Sequence, residues 1–156
     1  MTKNPDWEPV ETARRLPEQG RLLAIDFGER RMGISITDEL QITAQAKETL
    51  TVDRPEEAIA AIEKLVQECQ IKGILIGLPL TMSGEEGPMS AKVREFAQQL
   101  KQTLSIPVVL WDERLTSLQA ERTLREFNKK PSRHKAEIDR LAATFLLRNY
   151  LDSRRK

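Results

Sequence analysis

The stretch from Arg21 to Asp38 constrains the fold most, because it joins two short apolar runs through a tight turn. Runs of this kind, over about 21–27 and 32–38, are typical of strands buried on both faces. The short link between them predicts an antiparallel hairpin. Asp26 breaks the pattern, since it stands at the end of the first run where another aliphatic residue would fit. An ionised carboxylate there is costly unless it pairs with a cation or holds a metal ion.

Beyond the hairpin, the chain continues as a third strand and then alternates between helices and strands. The third strand, at about 42–50, is more polar and is therefore predicted nearer the sheet edge. Apolar spacing and turn residues predict a helix over 55–69, a strand over 71–76, a helix from Pro88 to about Leu104, a strand over 107–111, a helix from Thr116 to about Phe127, a break over Asn128–Arg133 and a last helix from about Lys135 to Leu151. The order predicts an α/β domain whose mixed five-stranded sheet has three antiparallel meander strands, then two strands in β-α units, flanked by helices.

The chain length of 156 residues fits one domain with a three-layer core and is too short for two. Residues 1–19 hold three prolines and only scattered apolar side chains, so they are predicted to be a poorly ordered extension. Residues 20–152 would form the domain and residues 153–156 a basic tail. Cys69 is the only cysteine, which excludes an internal disulfide and a cysteine-cluster metal site. We expect a cytoplasmic protein, because no apolar run is long enough to span a membrane and no secretion signal is evident.

Charge is distributed unevenly along the chain. Residues 121–156 carry 11 basic and 5 acidic residues, whereas the whole chain has a net charge of only +1. This asymmetry favours an anionic partner at the C-terminal end, and nucleic acid is the first candidate. A solvated basic helix with a tail explains the charge equally well.

Acidic residues occur at three places where core side chains are expected. Asp26 ends the first strand. Asp112 and Glu113 follow the apolar strand, at a carboxyl end where open α/β sheets place their sites. Asp139 begins an apolar stripe on the last helix, continued by Ala142, Ala143, Leu146 and Tyr150.

Converging carboxylates repel one another and become protonated unless a cation lies between them. Oxygen ligands suit Mg²⁺ or Mn²⁺, and two such ions can activate a water and stabilise the leaving oxygen of a phosphodiester. The alternative is that the acids pair with buried arginines such as Arg30, Arg114 or Arg140. That alternative is the better interpretation for any one acid alone, whereas three acids together favour a metal site.

Four motifs occur in one order along residues 21–152, and together they resemble a known family. They are Ala24–Gly28 with Arg31–Ser35, Ile76–Leu80 with Gly84 and Gly87–Pro88, Trp111–Ser117, and Ile138–Ala143. The family is the YqgF/RuvX-type Holliday junction resolvases, also described as pre-16S ribosomal RNA nucleases. The resemblance implies a ribonuclease H-like fold and Mg²⁺-dependent phosphodiester hydrolysis in 5′-end processing of pre-16S rRNA. One departure is Ser83, where the family often has aspartate.

The resemblance also implies roles for individual residues. By motif position, Asp26, Glu113 and Asp139 would be the catalytic acids and the metal ligands. Residue chemistry alone does not decide between Asp112 and Glu113, but Glu113 holds the glutamate place of the family motif. Substrate phosphates would be held by cations beside the motifs, with surface ion pairs as the alternative role: Arg31, Arg114 and Lys135. His134 is better explained as a solvated loop histidine than as a general base.

Three classes of function remain to be weighed. The first is a nuclease acting on precursor rRNA, with a pre-ribosomal particle as a partner, or on branched DNA as a Holliday junction resolvase. The second is phosphoryl transfer, because Asp26–Gly28 followed by Gly33 also resembles the first phosphate motif of actin-like ATPases and sugar kinases. Those enzymes need two such domains, so the chain length argues against them. The third is a non-catalytic nucleic-acid-binding module for ribosome assembly, which has no use for buried carboxylates.

Overall fold

The computed structural model describes residues 16–51, 53–81, 83–112 and 131–154, and for residues 131–140 it describes only the backbone. This part of the chain forms a sheet with helices on both faces. Its elements in chain order are β1 (Arg21–Asp26), β2 (Arg31–Thr37), β3 (Ala44–Ala46), β4 (Leu50–Thr51), α1 (Pro55–Cys69), β5 (Ile71–Leu78), α2 (Pro88–Thr103), β6 (Val108–Asp112) and α3 (Pro131–Arg154).

The sheet is mixed, as predicted, and its strand order is β3-β2-β1-β5-β6, with β4 also pairing with β2. β1 runs antiparallel to β2, whereas β1, β5 and β6 are parallel. The predicted count of five strands is wrong, because the predicted third strand is two short strands that pair with different parts of β2. Between them, Lys47 and Glu48 are both exposed, so the alternation that holds a continuous strand in register is lost.

Two helices follow the sequence prediction closely. α1 spans the predicted residues, and the residue that follows it, Gln70, has a φ of 55°, in the left-handed region. α2 begins at Pro88, a residue whose fixed φ suits the first helical turn. None of the helices in the described part of the chain has the length and apolarity needed to cross a membrane.

The last helix of the chain, α3, begins earlier than predicted. α3 starts at Pro131, so the predicted break over Asn128–Arg133 is wrong for residues 131–133. Proline is compatible with a first helical turn, and most residues over 133–137 have high helix propensity. Residues 128–130 and the predicted helix from Thr116 to Phe127 lie outside the described residues.

The two sheet faces bury separate apolar cores because side chains alternate along each strand. On β1, Leu23 and Ile25 pack on the side of α1 and α2. Leu22 and Ala24 pack on the opposite side, in the core that includes α3. Asp26 continues this second series, and the carboxylate therefore belongs to the sheet face that α3 covers.

α3 lies close to the sheet through a small and fully buried residue, Ala143. Two polar contacts fix the C-terminal half of the helix. Thr144 Oγ1 donates to Ser35 Oγ of β2 at 3.0 Å, and Trp111 Nε1 of β6 donates to Asn149 Oδ1 at 3.1 Å. The predicted apolar stripe is confirmed from residue 142 onward, since all of its members there are buried: Ala142, Ala143, Leu146 and Tyr150.

The C-terminal end of α3 anchors the chain that leads into β1. Arg154 Nη1 donates to Gln41 Oε1 at 2.5 Å, and Gln41 Nε2 donates to the carbonyl of Pro17 at 2.8 Å. Leu16 is only 3% exposed and packs into the core on the α3 side. The packed structure therefore reaches back into the predicted extension, and Ser153 and Arg154 of the predicted tail are helical. The domain boundaries themselves remain predictions, and residues 1–15 lie outside the described part.

The β1–β2 turn depends on one glycine. A Cβ atom added to Gly28 would lie 2.3 Å from the carbonyl oxygen of Arg31, a backbone atom that a side-chain rotation cannot move away. We expect Gly28→Ala to lower the free energy of unfolding by about 2–3 kcal/mol, as overpacking does. Gly87→Ala is the matched control, because a Cβ there meets nothing within 4 Å. Urea unfolding of both variants tests this, and equal stability for the two would contradict it.

Candidate active site at the carboxyl ends of the strands

Asp26 is the described acid around which the candidate site is built. It lies half-buried at the carboxyl end of β1, and its partner on β2 is Gly33. On the other side, the register pairs Ile25 with Ile76, which makes Gly77 the neighbour of Asp26 on β5. Neither of these two positions has a side chain, so the paired residues themselves leave space beside the carboxylate. A substrate phosphate or a hydrated cation can therefore approach it closely.

β6 brings a second acidic segment to the same edge of the sheet. Asp112 is the last residue of β6 and pairs with Leu78 at the end of β5. Val109 and Trp111 pack on the α3 side, whereas Val108 and Leu110 pack on the side of α1 and α2. Asp112 therefore belongs with Val108 and Leu110, on the face opposite Asp26. Glu113 and Arg114 lie outside the described residues.

Of the remaining predicted site residues, the structure describes the side chain of Arg31 and only the backbone of Lys135 and Asp139. Arg31 is exposed at the start of β2, next to the β1–β2 turn. Lys135 and Asp139 lie within α3, whose backbone alone is described there. Within the described side chains, no group of three histidine, cysteine, aspartate or glutamate residues is placed to hold a metal ion. Two of the three predicted ligands are outside that set, so the predicted triad stays a prediction.

α2 holds the β1–β2 turn from the other face of the sheet. Lys92 Nζ forms an ion pair with Glu29, and this ammonium group lowers the pKa of the Glu29 carboxyl. The rings of Phe27 and Phe96 lie 5.3 Å apart, centroid to centroid. A cavity of about 430 Å³ opens there, lined by these four residues together with Pro55, Glu95 and Gln99.

The segment between β5 and α2 is a second loop at this edge, here called the β5–α2 loop and described for residues 79–81 and 83–87. It leaves the sheet between the strands that end in Asp26 and Asp112. Leu80 and Glu86 form an antiparallel bridge across its base. Sequence reasoning did not identify the residues that hold this loop, Ser90 and Arg94 of α2, because neither falls in a family motif.

Comparison with known proteins places the chain in a family. The RuvX family, described as Holliday junction resolvase, matches residues 20–153. A relative from Chloroflexus aurantiacus, named "Putative pre-16S rRNA nuclease", is 48% identical over 134 residues, covering 86% of this chain and 88% of the relative. A relative of the same name from Halothermothrix orenii is 38% identical and covers 87% of this chain and 97% of its own length.

Solved structures support the fold. The Fowlpox virus resolvase, in complex with substrate Holliday junction DNA, aligns with a TM-score of 0.52 at 13% identity over 87% of this chain and 99% of its own. RuvC of T. thermophilus, in complex with Holliday junction substrate, aligns with a TM-score of 0.50 at 13% identity over 83% of this chain and 92% of its own. The predicted ribonuclease H-like fold is confirmed, and the chain belongs to the RuvX family.

Proposed function

We propose that this protein is a metal-dependent endonuclease that hydrolyses phosphodiester bonds of structured nucleic acid, and that its substrate is the 5′ end of pre-16S rRNA. The observation that carries the proposal is the position of Asp26. Its carboxylate stands at the carboxyl end of the central strands, on the face covered by α3, between two glycines. In open α/β sheets this edge is where ligands bind.

The alternation along β6 supports Glu113 as the second acid. Val109 and Trp111 share the face of Asp26, and Asp112 belongs to the opposite face. An acid that acts together with Asp26 is therefore expected at the next position of the Val109 series, which is residue 113. This argument from the strand agrees with the family resemblance and is independent of it.

The helix stripe supports Asp139 as the third acid. Ala143 is fully buried against the sheet, and Asp139 precedes it by four residues, or about one helical turn. The small side chains of Ala142 and Ala143 let α3 approach the sheet closely. On this ground we propose that Asp139 acts together with Asp26.

The donor set fits a hard divalent cation. Carboxylate oxygens are the ligands that Mg²⁺ and Mn²⁺ prefer, and Asp26, Glu113 and Asp139 supply only oxygens. When bound, such an ion supplies Lewis-acid chemistry at the scissile phosphate. The protein's own task is to hold the three acids in place and to orient the phosphate backbone. For the second task we propose the cations Arg31, Arg114 and Lys135.

Precursor rRNA is the favoured substrate because the relatives named for it are similar in sequence over nearly their whole length. The solved complexes with Holliday junction DNA support the fold but have only 13% identity. Resolution of branched DNA is the second candidate, favoured by the description of the matching family. An rRNA substrate makes the pre-ribosomal particle a proposed partner and the cytoplasm the proposed location.

Metal removal is the first test. We expect the purified protein to cleave a 5′-labelled pre-16S rRNA fragment in the presence of Mg²⁺, to lose that activity in EDTA and to regain it with excess Mg²⁺ or Mn²⁺. A four-way DNA junction with the same label serves as the competing substrate. We expect the RNA to have a kcat/KM at least about tenfold higher, a difference of about 1.4 kcal/mol in transition-state binding.

The outcomes separate the candidates. Cleavage that continues undiminished in EDTA contradicts the metal site. Cleavage of the junction alone supports the resolvase. RNA binding without cleavage, under conditions that include Mg²⁺ and Mn²⁺, supports the non-catalytic assembly module.

A further inference from the structure

The strongest unexplained feature near the candidate site is a largely buried arginine on α2. Arg94 donates from Nε to Glu86 Oε1 at 2.5 Å and from Nη2 to Glu86 Oε2 at 3.1 Å. Its side chain is only 10% exposed, and that of Glu86 is 31% exposed. This two-point contact fixes both the distance and the orientation of the two groups.

Stability alone does not explain Arg94. Its third side-chain nitrogen, Nη1, is buried without a hydrogen-bond acceptor among the described residues. A buried donor without an acceptor costs free energy, and ion pairs taken out of water are often no more stable than apolar side chains of similar size. The cost makes sense if the pair serves to hold Glu86, and with it the loop, in one position.

The β5–α2 loop is held at both ends by the same helix. Ser90 Oγ of α2 donates to the carbonyl of Pro79, where the loop begins, and Arg94 holds Glu86, where it ends. Ser90 and Arg94 are four residues apart and so lie on one side of α2. The helix therefore fixes the start and the end of the loop together.

The described residues at the tip of the loop are exposed and hydrogen-bonded to one another. Thr81 accepts a backbone hydrogen bond from Gly84 and donates one to Glu85, each at 2.8 Å. The Thr81 hydroxyl contacts Ser83 Oγ at 2.9 Å, and Gly84 takes a φ of 88°. These exposed residues present hydroxyl and backbone groups to solvent at the end of β5.

The β5–α2 loop lies next to Asp26 in the order of the strands. β5 lies between β1 and β6, and its last pair joins Leu78 to Asp112. The loop therefore leaves the sheet between the strand ends that carry Asp26 and Asp112, at the edge that a phosphate backbone must reach to contact Asp26. A fixed wall at this point restricts the orientations that a structured substrate can take.

We propose that Arg94 is a positioning residue: through Glu86 it holds the β5–α2 loop as a wall that orients the substrate backbone over Asp26. The proposal rests on the proposed nuclease function and adds to it the element that sets substrate orientation. Arg94 itself touches neither the substrate nor the reacting atoms.

The test removes both charges at nearly constant volume, in the double variant Glu86→Gln with Arg94→Met. We expect kcat for pre-16S rRNA cleavage to fall about 10- to 100-fold, as expected for a misplaced substrate, while KM stays within about twofold. The melting temperature should stay near the wild-type value, since neither charge is left without its partner. Amide hydrogen exchange at residues 80–86, followed by mass spectrometry, should become faster.

Two further variants show whether the effect is specific. Arg94→Lys keeps the charge but loses the two-point contact, so its kcat should be intermediate. The matched control neutralises an exposed pair on α1, Lys64→Met with Glu68→Gln, whose side chains are 76% and 59% exposed. We expect no change in kcat for this control.

A double variant with wild-type kcat overturns the proposal. So does a loss of kcat that circular dichroism attributes entirely to unfolded protein. Failure of the nuclease function gives a different result, because then the wild type does not cleave or Asp26→Asn cleaves equally well. If the wild type cleaves and Asp26→Asn does not, the nuclease function stands, and the result for the double variant tests only the role proposed for the Arg94–Glu86 pair.

Discussion

Asp26→Asn is expected to lower kcat for cleavage of pre-16S rRNA by about 10³-fold while the protein stays folded. A cation at a reacting phosphate supplies several kcal/mol of charge stabilisation, and each 1.36 kcal/mol corresponds to a factor of ten in rate. Asparagine has the same shape as aspartate, so the packing of Leu22 and Ala24 beneath it is preserved.

Single-turnover cleavage at saturating protein measures the chemical step for this variant. Titration with Mn²⁺ followed by electron paramagnetic resonance reports metal binding separately from activity, and Asp26→Asn should bind the ion more weakly. Asp152→Asn is the control, because Asp152 is exposed near the C-terminal end of α3 and is not among the proposed ligands. Cleavage by Asp26→Asn within about tenfold of the wild type would reject the assigned site.

Sequence patterns were sufficient for the elements whose order and burial are local properties. The hairpin of β1 and β2, the whole of α1 and the buried stripe on α3 follow from apolar spacing, because each buries one face against the sheet. Asp26 stood out for the same reason, since it is a carboxylate in an apolar series. The family resemblance supplied the substrate class and the choice of Glu113.

Other features depend on contacts that local patterns do not record. The glycines beside Asp26, Gly33 and Gly77, become its neighbours only through the register of three strands. Glu29 and Lys92 are 63 residues apart in the chain, and their ion pair follows from the placement of α2. The split of the predicted third strand had a local cause in the exposed pair Lys47 and Glu48, but it needed β2 as the template that each half pairs with.

The second large effect is expected from Glu113→Gln, and the neighbouring single substitution Asp112→Asn is its control. Glu113→Gln should lower kcat by about 10³-fold, by the same loss of charge stabilisation as Asp26→Asn. Asp112→Asn should stay within about fivefold of the wild type, because adjacent strand residues point to opposite faces. Asp112 falls in the series of Val108 and Leu110, on the side of α1 and α2, away from the face of Asp26.

The two variants control for each other, since they remove one carboxylate charge each from adjacent positions. For Glu113→Gln, single-turnover cleavage should be slower and Mn²⁺ binding weaker. For Asp112→Asn, both measurements should stay near the wild-type values. The reverse result would mean that the alternation of β6 breaks at its end and that Asp112 is the acid beside Asp26. Equal losses in both would mean that the β6 end acts through its total charge, in which case the loss should shrink as added salt screens it.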